Sequence, residues 1–314
     1  MGLHTERQGV FMGMNIAEFK NLIHSFTDIM SEDVCESIRT SAGSMTMRFA
    51  KMLLGEVVSN DFAETNPETY AELISLAFGA LTEKAYNRTP NATENYDLES
   101  IMLDIKSMDF RAMDCKVLYI RCPIILKQLN INDEVNDGII AFGYLDYEAG
   151  LSFDVIGAAR IYNNRMEISA LDNSRRTKIR HGFFLNLPDV QVLNLFNTNA
   201  DLEQFYQEVG THELYYRNIS MDIENMRMNA ELDNSRHPSF PDDIQIHLVK
   251  DGRIVEAPWA RCSHVDKVKG FMYARLLNEP HNEFGFHMND EIPFRVIEAA
   301  DGNLLCINLE HYNQ

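Results

Sequence analysis

Ten histidines are spread through the chain, and five of them, His247, His264, His281, His287 and His311, fall after residue 240. Among them Cys262-x-His264 has a spacing that could serve a metal. On a strand the two side chains would share a face, because strand side chains alternate with a period of two. A zinc-like ion would need further ligands, and His281 and His287 are the nearest in sequence. Loop histidines without fixed spacing are more often solvated or hydrogen-bonded to backbone, so no metal or cofactor is expected. The five cysteines (Cys35, Cys115, Cys122, Cys262 and Cys306) form no Cys-x-x-Cys pair. That argues against a disulfide framework or a zinc ribbon and for buried free thiols.

The run Arg175-Arg176-Thr177-Lys178-Ile179-Arg180-His181 is the one dense basic cluster in an acidic chain. Arg175, Arg176, Lys178 and Arg180 are candidates for binding an anion, since guanidinium forks suit phosphate and carboxylate. On an exposed strand edge the same charges would instead offset nearby acids and discourage edge pairing. Asp146, Glu148, Asp154, Glu167 and Asp172 fall within the central β region. Two of them facing each other could do general acid/base work, although scattered surface acids are the default here. The chain has no glycine-rich phosphate loop, no G-x-S-x-G turn and no His-Glu-x-x-His motif, which lowers the odds of the commonest enzyme classes.

Trp259, the single tryptophan, follows Glu256-Ala257-Pro258. It could fill a small core or anchor a partner, as tryptophan does at interface hot spots. With the polar loop residues Asn278, Glu279, His281 and His287 it makes a candidate partner-binding surface.

The net charge is −19, and cutting the chain at 110 and 239 leaves −9, −5 and −5. Such a surface repels nucleic acid and anionic membranes and favours a basic protein partner. No apolar run approaches the roughly 18 residues needed to span a bilayer. Residues 1–15 lack a secretory apolar core, and Met12 or Met14 could be the true start. A cytoplasmic location is the expectation.

The elements that must position these groups are read from periodicity. Ile16, Phe19, Leu22, Ile23, Phe26, Ile29 and Met30 mark one face of a helix. Ser31-Glu32-Asp33 opens a second, carrying Val34 to Val57 with Gly43 as a soft point. Asn66-Pro67-Glu68 opens a third, with Tyr70, Leu73, Ile74, Ala77, Leu81 and Ala85 as its stripe. Residues 87–95 read as a linker, and 97–108 as a fourth helix. Strands are expected over 115–121, 138–144 and 190–196, with a hairpin of 151–161 and 166–171 about Asn163-Asn164. Helices are expected over 201–209 and 223–232. The stretch His237-Pro238-Ser239-Phe240-Pro241-Asp242-Asp243 reads as a linker.

Beyond it, strands over 244–249, 254–255, 271–277, 292–297 and 304–307 are joined by turns at Asp251-Gly252, Asn278-Glu279-Pro280 and Asp301-Gly302. Pro280 removes a ladder donor and biases Glu279 away from helix. The pattern Lys269-Gly270-Phe271, Leu276, Asn278-Glu279-Pro280, Gly285 and Asn289-Asp290 resembles the YegJ-like family of uncharacterised bacterial proteins. It departs from that family at Asn289, where Gly is usual. The resemblance covers about residues 244–310 and implies a small β-rich domain without catalytic residues.

The expected fold class is α+β, with a helical region over 1–95, a central α+β domain over 96–236 and an antiparallel β module over 242–314. The expected function is binding of a basic protein partner through an acidic surface. The alternative is a hydrolase using His and Asp/Glu groups of the central or C-terminal region.

Overall fold

A computed structural model describes residues 16–40, 44–55, 57–58, 62–88, 97–171, 176–216, 219–250 and 252–308. Met12, Met14, Gly43, residues 89–95 of the expected linker, Asp172, Arg175, Asp251 and His311 lie outside them. The fold is α+β, with helices at the N-terminus and antiparallel sheets in the central and C-terminal regions. The chain divides into two compact units, one of 1–146 with 152–218, the other of 147–151 with 219–314.

Unit 1 begins with α1 (Ile16–Ile29), α2 (Glu32–Thr40), α3 (Ser44–Gly55), α4 (Phe62–Thr65) and α5 (Pro67–Ala85). The stripe of α1 buries Phe19 and Ile23, but it stops short of Ile29, which is 80% exposed. Ser31 Oγ accepts the Val34 amide at 3.4 Å at the start of α2. Pro67 sits in the first turn of α5, where its missing N–H would have had no helical partner. Leu73, Ile74, Ala77, Leu81 and Ala85 of the expected stripe are buried.

The helix expected over 97–108 is replaced by 3-10 turns at 99–101 and 105–107 around β1 (Leu103–Asp104). Asp104 Oδ1 accepts from Lys106 N at 2.9 Å, and Asp109 Oδ1 from Arg111 N at 2.7 Å. Short acidic side chains bonding the backbone two residues on close turns in place of helix. Then come β2 (Lys116–Arg121), α6 (Pro123–Gln128), β3 (Gly138–Asp146), β4 (Gly150–Tyr162), β5 (Arg165–Ala170), β6 (Thr177–Arg180), α7 (His181–Leu185), β7 (Gln191–Asn194) and α8 (Glu203–Tyr216). Asn163 and Asn164 turn the β4–β5 hairpin at φ 50° and 60°, the left-handed pair a tight hairpin turn requires.

The strands form one sheet in the order β1-β7-β2-β3-β4-β5, with β6 on β4. One core joins Phe19, Leu73 and Phe78 of the helices to Tyr119, Ile140 and Phe142 of the sheet. The boundary expected at 95/96 therefore runs through a single core.

Unit 2 contains α9 (Met221–Met228) followed by a 3-10 turn at 230–235. Its strands are β8 (Arg236–His237), β9 (Phe240–Gln245), β10 (His247–Lys250), β11 (Arg253–Glu256), β12 (Trp259–Asp266), β13 (Phe271–Leu276), β14 (Glu291–Glu298) and β15 (Leu304–Asn308). The sheet runs β11-β10-β15-β14-β13-β12-β9-β8, and β10–β15 is a parallel pair.

The expected 237–243 linker is largely strand. Asp242 and Asp243 are buried because each meets an arginine. Arg227 donates to Asp242 through Nε (2.8 Å) and Nη2 (2.6 Å), and Arg261 to Asp243 through Nε (2.6 Å) and Nη2 (3.1 Å). Paired and doubly hydrogen-bonded, these carboxylates can leave water. Unit 2 starts at Ile219 on its second segment, ahead of the boundary expected near 242.

Candidate functional site

The α5 and α8 helices of unit 1 pack at very short range. Gly210 lies against the backbone of Ala71, and Gly79 lies against the ring of Tyr206. Ser75 Oγ, bonded to Ala71 O at 2.8 Å, accepts the Gly210 amide at 3.1 Å and ties the two backbones together. Beside this seam opens a cleft of about 1110 Å³ whose walls include Glu68, Glu72, Glu83, Asp201, Glu203 and Arg88. Glu68 and Glu72 are four apart, one helical turn on the same face of α5.

The cleft's single cation is already engaged. Arg88 donates to Glu83 Oε1 at 3.1 Å, to the carbonyls of Leu195 (2.6 Å) and Thr198 (2.9 Å), and to that of Ala200. Tyr206 also donates to Glu83, and burial pushes its phenol well above the ordinary range. Glu83 Oε2 is buried without a partner among the described residues. Asp201 Oδ1 accepts the Glu203 amide at 3.1 Å, capping the start of α8. Glu72, Asp201 and Glu203 are exposed and have no ion-pair partner among the described residues. The cleft thus presents concentrated negative charge beside apolar wall residues such as Ala71, Leu76 and Ala80.

A second cluster lies between α8 and the sheet. His212 Nε2 is 3.2 Å from Asp154 Oδ2. The rings of Tyr144, Phe142 and Tyr216 lie 4.3, 4.9 and 5.3 Å from the imidazole. His212 Nδ1 and Tyr144 Oη are buried without partners among the described residues, and burial raises the Tyr144 phenol.

The described part of the basic run borders this cluster. Lys178 and Arg180 pair across β4 with Asp154 and Ser152. Lys178 donates to Tyr216 Oη and stands 3.9 Å from that ring's centre. Arg180 bonds Ser152 Oγ and lies 3.6 Å from Asp146, while Arg176 donates to Glu208 at 2.6 Å. Of the central acids, Asp146 and Asp154 come near this cluster. Glu148 instead pairs with Arg261 at 2.7 Å in unit 2, and Glu167 pairs with Arg160 at 2.8 Å.

In unit 2 the residues singled out around Trp259 fall into three separate contacts. Trp259 is half-buried, edge-on to His237 at 5.2 Å, and its amide donates to Asn278 Oδ1 at 3.3 Å. Glu279 accepts from His287 Nδ1 at 2.7 Å and from Met288 N at 2.8 Å. Those bonds hold Glu279 below the usual carboxylate range, the Met288 amide contributing most, and Glu279 in turn raises His287. The His281 amide donates to Glu256 at 2.9 Å. Phe284 and Phe286 pin the loop into the core.

Cys262 and His264 do not share a face. The β12–β13 register slips between them, leaving Cys262 in the core and His264 exposed and stacked on Tyr273 at 4.5 Å. A β-bulge adds one residue and breaks the period of two on which the shared face depended. Among the described residues no group of three or more His, Cys, Asp or Glu side chains is placed to hold a metal ion.

The cleft residues were partly legible. Glu68 and Glu72 stand four apart on an expected helix, but Asp201 and Glu203 reach them only through the packing of α8. No described helix is long and apolar enough to cross a membrane. Comparisons with family models, with curated proteins and with solved structures returned no match.

Proposed function

We propose that this protein is a cytoplasmic binding protein that seats a basic segment of a protein partner in the acid-lined cleft between α5 and α8. The carrying observation is the cleft itself, with five carboxylates against Arg88, a cation already held by Glu83 and three carbonyls. A lysine- or arginine-bearing helix would complete this charge, and steering by the −19 chain would speed its arrival. The same field disfavours nucleic acid.

A YegJ-like C-terminal module without its own chemistry is compatible with this reading. Asn289 stands at φ 75°, a conformation that favours glycine and that Asn tolerates, so the departure from the family's Gly keeps the turn.

The test is fluorescence anisotropy of a labelled Lys/Arg-rich helical peptide at low and high salt. Binding should weaken as salt rises and be lost in Glu72→Lys/Glu203→Lys. Equal binding by that variant would sink the proposal.

The second reading, a hydrolase, draws on the His212–Asp154 pair, which has the contact of a base and its orienting carboxylate. Against it, His212 is 2% exposed and covered by three rings. A hydrolytic activity on ester or amide panels that disappears in Asp154→Asn would favour it over the binding reading.

A further inference from the structure

Lys116 opens β2 with 2% of its surface exposed. Among the described residues no carboxylate pairs with it. Its Nζ donates to Tyr86 Oη at 3.0 Å and lies 5.5 and 5.4 Å from the ring centres of Tyr86 and Phe196. An ammonium carries three donors, so one bond leaves most of its capacity unspent. Ring faces return only part of the cost of burying such a charge.

Lys116 also belongs to the wall of a cavity of about 670 Å³ in unit 1, separate from the acidic cleft. The other charged residues of that wall are Arg39, Arg111 and Asp109. Asp109 is taken up by Arg111, through the backbone amide at 2.7 Å and Nη1 at 3.1 Å. Arg39 is held by Glu32 and Glu36. Lys116 is therefore the cation of this wall that lacks a counter-charge. Asn194, whose Oδ1 accepts the Phe196 amide at 3.0 Å, keeps its NH₂ as a further donor. Ile101, Leu103, Met108 and Leu193 supply an apolar wall. The volume falls in the range of small-molecule sites, roughly 300–1000 Å³.

We propose that this cavity binds an organic oxyanion, a carboxylate or phosphate head on an apolar body, with Lys116 as its counter-ion. The head group supplies the charge that the fold withholds from Lys116, and the body covers the apolar wall. An amine or a neutral alcohol of the same shape would leave Lys116 uncompensated.

Isothermal titration of the full chain with octanoate, octyl phosphate, octanol and inorganic phosphate tests this. Octanoate or octyl phosphate should bind at least about tenfold tighter than octanol and than inorganic phosphate, and which of the two is tighter identifies the head group. Lys116→Met should abolish the preference for the anion over octanol. Leu103→Glu, a carboxylate set on a half-exposed wall residue, should weaken anion binding while leaving Lys116 in place, and it keeps the test open should Lys116→Met not fold. Binding of neither amphiphilic anion, octanol or inorganic phosphate binding as tightly, or unchanged affinity in the folded variants would overturn the proposal.

Discussion

Gly210→Ala sets two effects of opposite sign against each other. In a helix interior alanine is preferred over glycine by about 1 kcal/mol, so propensity alone predicts a gain in stability. A Cβ at Gly210, however, would lie 1.9 Å from the Ala71 carbonyl oxygen, 2.5 Å from its carbon and 2.7 Å from its Cα. All three atoms are backbone, so no rotamer can move them aside. Restoring ordinary contact at about 3.5 Å requires α8 to retreat by roughly 1.5 Å. That overpacking costs about 1–3 kcal/mol, and stretching the Gly210–Ser75 bond adds about 1 kcal/mol.

The clash should win, with a net loss of about 1–3 kcal/mol and a fall in Tm of roughly 2–4 °C for each kcal/mol. Urea titration reads the first quantity and differential scanning calorimetry the second. Gly55→Ala, at a position with nothing within 4 Å, is the control and should be neutral or slightly stabilising. Because α8 is also a wall of the acidic cleft, the basic-peptide titration should shift in Gly210→Ala and not in Gly55→Ala. A Gly210→Ala protein as stable as the parent would refute the short approach of the two helices.

Arg227→Met, which strands Asp242 in the core of unit 2, should cost about 3–5 kcal/mol by urea unfolding. The double variant Arg227→Met/Asp242→Leu should recover most of that loss. The buried thiols Cys262, pushed up to about 12 by burial, and Cys306, also raised by burial, should resist Ellman's reagent at neutral pH until the protein is unfolded. The Glu279–His287 pair should be intact between two limits. The raised His287 contributes fully below its ordinary pKa and loses its contribution as pH climbs through the raised value. The lowered Glu279 contributes above its ordinary pKa and loses its contribution as pH falls through the lowered one. NMR titration should show His287 titrating above ordinary imidazole, and Glu279→Gln should bring it down.

The elements set by local chemistry were readable in advance. Pro67 announced α5, Asn163-Asn164 announced its hairpin, and the apolar alternation after residue 270 announced β13–β15. Misreadings arose where a distant partner overrode local preference. Pro241 and two aspartates look like linker until Arg227 and Arg261 neutralise them, and Asp104 and Asp109 turn an amphipathic stretch into 3-10 segments. The β12 bulge undid the Cys262–His264 pairing because an inserted residue leaves no mark in a period-two pattern. The cleft and the Lys116 cavity are each walled by residues as far apart in sequence as Glu68 and Glu203, or Arg39 and Asn194, which periodicity cannot bring together.

The position of β15 bears on how unit 2 assembles. It is the last of the eight strands to be synthesised, yet it occupies the third place in the sheet, between β10 and β14. Until it arrives, the β10–β11 hairpin has no neighbour to join, and two unpaired ladder edges stand open to other chains. Its parallel match to β10 links His247 to Ile307, a long-range closure of the kind that slows folding. Unit 2 should therefore consolidate only after residue 308 has left the ribosome, while the helices of unit 1 can pack during synthesis. A ribosome stalled before residue 304 would hold an open sheet, and chaperone dependence at that stage would follow from the strand order alone.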